Sequence, residues 1–177
     1  ILTKKLGEGS FGSVYLATSK TTGEKRAVKK LTKPKGYQSN KLDREVRNEI
    51  SILTSLDHQN IMKVYSFYET PKEFCIVTEL CEGGELFDKI TEVGYFDEVT
   101  AATIMFQLFS AISYCNGKNI MHRDLKTENI MLESKKLKGN FRIKLIDFGL
   151  SKKYLDRSNK HIIYSLLLRQ FSYCSIQ

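Results

Sequence analysis

The chain is poor in the features that would point to a disulfide scaffold, a zinc site or a membrane. Its four cysteines, Cys75, Cys81, Cys115 and Cys174, form no CxxC pair and show no metal-ligand spacing. Zinc is therefore not indicated, and free thiols in a reducing compartment are the expectation. No apolar run approaches the ~20 residues needed to cross a bilayer, and the first residues do not read as a signal peptide. These absences predict an intracellular, cytoplasmic protein with no membrane insertion. Proline occurs only as Pro34 and Pro71, so the last hundred residues contain none. A single dense basic tract is also missing. Lys and Arg total 28 against 20 Asp and Glu, a formal +8. The excess is spread over Lys25 to Lys35, broken by apolar residues, and Lys135, Lys136 and Lys138. Without a basic helix or regular aromatic interleaving, the charge argues against nucleic acid as a partner. A preference for anionic phosphates accounts for part of it.

What is present suffices for a folded protein. With 177 residues and 41% hydrophobic content, the chain can bury a core. The first informative stretch runs Leu6, Gly7, Glu8, Gly9, Ser10, Phe11, Gly12, Ser13, Val14, a GxGxxGxV spacing. In a dinucleotide-binding fold, such as a nicotinamide-dependent dehydrogenase, a helix opens after the glycines. Here Ser13 to Thr18 alternates in a β-favouring pattern, which predicts strand, glycine turn, strand and argues against that rival. A strand carrying Ala27, Val28 and Lys29 follows. From Asn40 to Leu56 the pattern turns helical, with Ser39 or Asn40 as cap and Leu42, Val46, Ile50 and Leu53 on one side. Lys63 to Glu69 and Glu73 to Thr78 read as two more strands around a turn at Pro71 and Lys72. A short helix is predicted over 85–91. A longer one capped by Asp97 runs to about Cys115, with Ala101, Ile104, Leu108, Ala111, Ile112 and Cys115 as its buried stripe and Gly117 at its end. Short strands are predicted at Ile130 to Leu132 and Phe141 to Ile146.

Between these elements lies His122, Arg123, Asp124, Leu125, Lys126, Thr127, Glu128, Asn129, followed by Asp147, Phe148, Gly149. Asp124 can accept a proton from a hydroxyl, Asn129 and Asp147 can present oxygens to Mg²⁺, and Lys126 can face a transferring phosphoryl group. These motifs, with the glycine flap and Ala-x-Lys strand, resemble the catalytic domain of eukaryotic Ser/Thr protein kinases. Glu82 to Asp88 and Asp147 to Tyr154, with the lysine-rich insertion, are most similar to the calcium/calmodulin-regulated and calcium-dependent group. No stretch matches an EF-hand loop, so a calcium sensor would lie outside these residues.

The resemblance implies an α+β, protein-kinase-like fold of two lobes: a five-stranded antiparallel N-lobe with one helix, residues 1–78, a hinge at 79–84, and an incomplete helical C-lobe, 85–154. It implies ATP and Mg²⁺ as cofactors and a protein substrate with a Ser or Thr acceptor, the latter because Lys126 lies in Asp-Leu-Lys-x-x-Asn. Asp124 and Lys126 would act in transfer, and Lys29 would hold the phosphates, oriented by Glu49 with Glu45 as the alternative partner. Asn129 and Asp147 would bind the metal. Leu6, Gly7, Gly9, Gly12, Val14, Ala27, Thr78 as gatekeeper, the backbones of Glu79 and Cys81, Glu85 at the ribose or a basic substrate residue, and Met131 as floor would enclose the nucleotide. Thr127 replaces the family's usual proline. Residues 155–177 depart from the family pattern, and with no proline after Pro71 the Ala-Pro-Glu motif cannot follow. The expectation is a truncated kinase, weak or inactive alone, with a nucleotide-binding, pseudokinase-like scaffold as the alternative and no regulatory partner specified.

Overall fold

Alternation decides the upper half. In the computed structural model, which describes residues 1–9, 12–33, 41–137, 139 and 141–154, strands β1 (Leu2–Gly9), β2 (Gly12–Thr18), β3 (Lys25–Thr32), β4 (Val64–Glu69) and β5 (Glu73–Thr78) form one antiparallel sheet. Its order is β1-β2-β3-β5-β4. Directly paired residues point to one face, and faces alternate along each strand. Val14 pairs with Lys29 and Lys29 with Ile76, while Leu16 pairs with Ala27 and Ala27 with Thr78. Val14, Ala27, Lys29 and Thr78 therefore share a face with Leu31. The opposite face carries Lys30, bonded to Glu73 at 2.9 Å, and Arg26, whose guanidinium lies 3.9 Å from the Tyr65 ring centroid.

Helix α1 (Lys41–Thr54) covers the first face. Val46 and Ile50, one turn apart, pack with Leu31, Phe74 and Ile76, whereas Ile52, Leu53 and Leu56 enter a second cluster with Ile61, Leu132, Ile143, Leu145 and Phe148. One helix thus joins two cores by its 3.6-residue period. Leu42 and Glu45 belong to this helix, but their side chains, like the caps expected at Ser39 or Asn40 and the whole of 155–177, lie outside the described residues.

The lower half uses shorter pieces. Strand β6 (Gly84–Glu85) leads into α2 (Leu86–Val93), and α3 (Glu98–Gly117) starts where the Asp97 carboxylate accepts the Thr100 N–H at 2.9 Å. Along α3, Ile104, Leu108, Ala111, Ile112 and Cys115 are buried as expected, while Ala101 is only half-buried. The helix has no charged residue after Glu98, and its outer face leaves Val99 and Phe106 76% exposed. Its end differs from expectation. Gly117 stays helical, and Asn119 takes the left-handed turn at φ 58°. Asparagine tolerates that region because its short polar side chain can bond locally.

Strands β7 (Ile120–Met121), β8 (Ile130–Leu132), β9 (Ile143–Leu145) and β10 (Lys152–Lys153) complete the described chain. The sheet order β6-β8-β9 places Glu85 opposite Met131 and Met131 opposite Lys144. β7 pairs with β10. The loop after α1 is stitched to β9 by Leu145 N–H to Asn60 O at 2.8 Å and Met62 N–H to Leu145 O at 3.0 Å.

Candidate active site

Each half supplies one wall. In the upper wall, Gly9 pairs with Gly12 to close the glycine turn. Gly12 has φ 154°, and a Cβ there would collide with the Lys30 carbonyl, so the approach of β2 to β3 requires glycine. Lys29 extends from the face that α1 covers. The buried Glu49 carboxyl is pushed above the ordinary range by burial and by the Asp147 charge, with Lys29 pulling against both. Lys29 and Glu49 make no ion pair within 4 Å among the described residues. Glu49 instead turns toward the Asp-Phe-Gly segment, its Oε2 lying 3.8 Å from where a Cβ on Gly149 would sit.

The lower wall depends on side chains that bind backbone. His122 is buried, and its Nε2 lies 2.8 Å from the Ile146 carbonyl while Nδ1 accepts the Asp124 N–H at 3.3 Å. Its ring meets that of Phe148 edge-on at 4.6 Å. Burial lowers the His122 pKa, although the Ile146 bond and the Asp147 and Asp124 charges oppose the shift. Arg123 and Asp147 both adopt left-handed backbone, with φ 69° and 58°. Arg123 Nε donates to Leu150 O at 2.6 Å.

Asn129 Nδ2 donates both to the Asp124 carbonyl and to Asp124 Oδ2, each at 2.8 Å. Lys126 Nζ joins the same Oδ2 at 2.9 Å. Burial alone would raise the Asp124 carboxyl, but the Lys126 and Asn129 bonds outweigh it and hold the group below its usual value. Oδ1 of Asp124 has no partner among the described residues, so an anionic acceptor oxygen is free at a defined place. Lys126 is raised chiefly by its bond to Asp124, and Glu128 and Asp147 add to the effect. Lys126 thus feels the charges of both Asp124 and Asp147.

As candidate metal donors, Asp147 keeps one carboxylate oxygen on the Gly149 N–H at 3.2 Å, and Asn129 spends its NH₂ on Asp124. One carboxylate oxygen and one amide oxygen remain without partners among the described residues. That hard-oxygen set suits Mg²⁺, which takes few protein ligands and keeps waters or phosphate oxygens for the rest.

Around the hinge, Thr78 Oγ1 donates to Glu79 O at 3.1 Å, and the N–H groups of Glu82 and Gly83 bond Glu133 O and Leu132 O at 3.0 Å. The N–H and C=O of half-buried Cys81 have no hydrogen-bond partner among the described residues. Its thiol is pushed up to about 12 by burial, so it behaves as an apolar wall group. Cys75, Cys81 and Cys115 are all free. Glu85 is raised by burial and by the neighbouring Asp88 and Glu128 charges. Leu6, Gly7, Val14, Ala27 and Met131 lie in β1, β2, β3 and β8.

Three residues near the site escaped the sequence reading. Asn48 Nδ2 donates to Ser151 O at 3.2 Å, and the buried Ser151 hydroxyl donates to His122 O at 3.2 Å, tying α1 to both loops. Lys144 Nζ pairs with Glu79 Oε2 at 2.8 Å. A usable signal existed only for Lys144, a lone cation inside the apolar run Ile143 to Ile146.

Two loops carrying Asp124 and Asp147 beneath a sheet carrying Lys29 define the class. The protein kinase domain model matches residues 1–171, and the chain belongs to that family. It is 46% identical over 155 residues to calcium-dependent protein kinase 5 of Plasmodium falciparum (isolate 3D7), covering 88% of this chain and 26% of that protein. It is also 46% identical over 149 residues to calcium-dependent protein kinase 4 of the same organism, 84% of this chain and 28% of that protein. Myosin light chain kinase A of Dictyostelium discoideum is 40% identical over 152 residues, 84% of this chain and 49% of that protein. The chain spans about a quarter of the length of the Plasmodium relatives. No described helix is long and apolar enough to cross a membrane.

Proposed function

We propose that the chain carries the nucleotide site and the catalytic loops of a protein serine/threonine kinase that transfers the γ-phosphoryl group of ATP to a protein hydroxyl. The observation that carries this reading is the Asp124 carboxylate, fixed through Oδ2 by Asn129 and Lys126 while Oδ1 stays open. Such a group can orient an acceptor hydroxyl and receive its proton. Lys126 beside it neutralises charge on the transferring phosphoryl, and alignment with charge neutralisation is most of what this chemistry needs.

In this reading the Gly7, Gly9, Gly12 turn covers the phosphates and Lys29 binds them. The unpaired backbone groups of Cys81, with Glu79 O, meet the adenine edge among Val14, Ala27, Thr78 and Met131. Leu6 closes the outer rim, and Glu85 meets the ribose or a basic residue of the substrate. Asp147 and Asn129 would hold Mg²⁺, which when bound neutralises phosphate charge. The names of the Plasmodium relatives support a place in the calcium-dependent group, with any calcium sensor outside residues 1–177, and the free thiols suit a reducing cytoplasm.

The missing Lys29–Glu49 contact among the described residues favours one second reading, a scaffold that holds nucleotide without transferring phosphate. Titration calorimetry with Mg-ATP and a phosphotransfer assay on the same chain separate the two. The kinase reading expects binding together with turnover that falls by about 10²- to 10⁴-fold in Asp124→Asn. Binding with no Asp124-dependent turnover selects the scaffold, and no binding removes both.

A further inference from the structure

A deeply buried ion pair joins the hinge to β9. Glu79 and Lys144 side chains are only 16% and 7% exposed, and Glu79 Oε2 lies 2.8 Å from Lys144 Nζ. The second oxygen, Oε1, accepts the Lys63 N–H at 2.7 Å, and the Glu79 N–H donates to Lys63 O at 3.1 Å. The hinge residue is therefore held from its backbone and from both carboxylate oxygens.

The other end of the pair sits on β9. Lys144 is three residues before Asp147, and the Ile146 N–H between them donates to Asn129 O at 2.9 Å. Asp147 therefore follows closely on the strand that Lys144 occupies, and Asn129, just before β8, is tied to the same segment by that bond. Its register partner Met131 points from the same face of the sheet.

A buried ion pair is a poor source of stability, since desolvating two charges offsets most of their attraction and an apolar pair of similar size folds as well or better. What a charge pair with directed hydrogen bonds supplies is a fixed distance. We propose that Glu79 and Lys144 form a strut setting the separation between the hinge, where adenine would bond, and the Asp147 and Asn129 oxygens, where the metal-bound phosphates would sit. Lys144 is then a positioning residue for the nucleotide. The inference rests on the nucleotide-site reading given above.

Glu79 meets adenine only through its backbone carbonyl, which a side-chain substitution keeps, and neither its carboxylate nor Lys144 is assigned to a ligand, so loss of the strut weakens a ligand that spans both subsites and spares ligands that occupy one. The test measures adenosine, Mg-tripolyphosphate and Mg-ATP by titration calorimetry on the full chain. The compared forms are the unsubstituted chain, the double variant Glu79→Leu/Lys144→Met and the conservative Lys144→Arg, with thermal unfolding as a check on folding. A single Lys144→Met is avoided because it strands a buried carboxylate. In the double variant, adenosine and tripolyphosphate affinities stay within about twofold, since separate subsites respond independently. Mg-ATP affinity falls about tenfold, because a small misplacement between subsites is costly to a ligand bridging them. Lys144→Arg keeps Mg-ATP binding close to that of the unsubstituted chain. Unchanged Mg-ATP affinity in the folded double variant, or an equal fall for all three ligands, would overturn the strut. An unsubstituted chain that binds none of the three ligands overturns the nucleotide reading instead, which is a distinct result.

Discussion

The two walls of the site are held in place by different kinds of bond. In the upper wall, Val14, Ala27, Lys29 and Thr78 are positioned by backbone ladders that any β-favouring sequence in register would form. In the lower wall, Asp124, Asn129 and Asp147 sit in loops and a 3-10 turn between strands of two and three residues, in or beside left-handed turns, placed by side chains that bind particular carbonyls. The upper wall should therefore tolerate substitution wherever volume and alternation are kept. The lower wall should respond to the loss of single groups. Ladder bonds are numerous and cooperative, whereas each lower-wall bond is one of a kind, and loss of those made by His122 and Asn129 leaves a part-buried partner unsatisfied.

The largest expected contrast lies in the core beneath each wall. Phe148, fully buried and edge-on to His122, should cost about 3–5 kcal/mol when replaced by Ala, whereas Ile76→Val in the sheet should cost about 0.5–1.5 kcal/mol. Urea midpoints measure both, and equal losses would erase the distinction between the walls. Next comes Asn129→Ala, which takes the donor from the Asp124 carbonyl and carboxylate. A loss of about 1–3 kcal/mol is expected, and Asn129→Asp should fail to restore it because a carboxylate has no donor.

The smallest effect concerns the place where the walls meet. Glu49 has its folded-state pKa raised, chiefly by burial. The stability it contributes is fully present below its unfolded pKa and is lost as pH rises through the folded value. Glu49→Gln lacks that titration, so its melting temperature relative to the unsubstituted chain should climb from acid toward neutral pH. A difference that stays flat with pH would show that Glu49 is not held in a desolvated place. His122 works in the opposite sense. Its lowered pKa gives stability present above the unfolded histidine value and lost as pH falls through the folded one, and the His122 imidazole signals in a pH titration by NMR should report it.

Much of this was legible in order along the chain, and the reasons are local. The alternation of Ser13 to Thr18 told strand from helix after the glycines, and Asp97 marked the start of α3 because a cap is read from the residues beside it. Glu73 to Thr78 matched its expected bounds. Boundaries slipped where tertiary bonds override local preference. Lys63 and Phe141 fall outside their strands, and Asn119 rather than Gly117 makes the left-handed turn that leads into β7. The pairing of β7 with β10 joins segments about thirty residues apart and only two residues long, so no periodicity can announce it.

The sequence by itself determined which chemical groups this protein has and where along the chain they fall: a glycine turn closed by strands, Lys29 on the third strand, two acids and an amide between later strands. Those depend on residue type and short spacing, which the chain carries within a few positions. Only the tertiary structure decided that Asp124 keeps one oxygen bound and one open, that Glu49 turns toward Gly149, and that Lys144 reaches back to Glu79. Each of those depends on atoms brought together from distant segments, and their burial sets which charges pair and which do not.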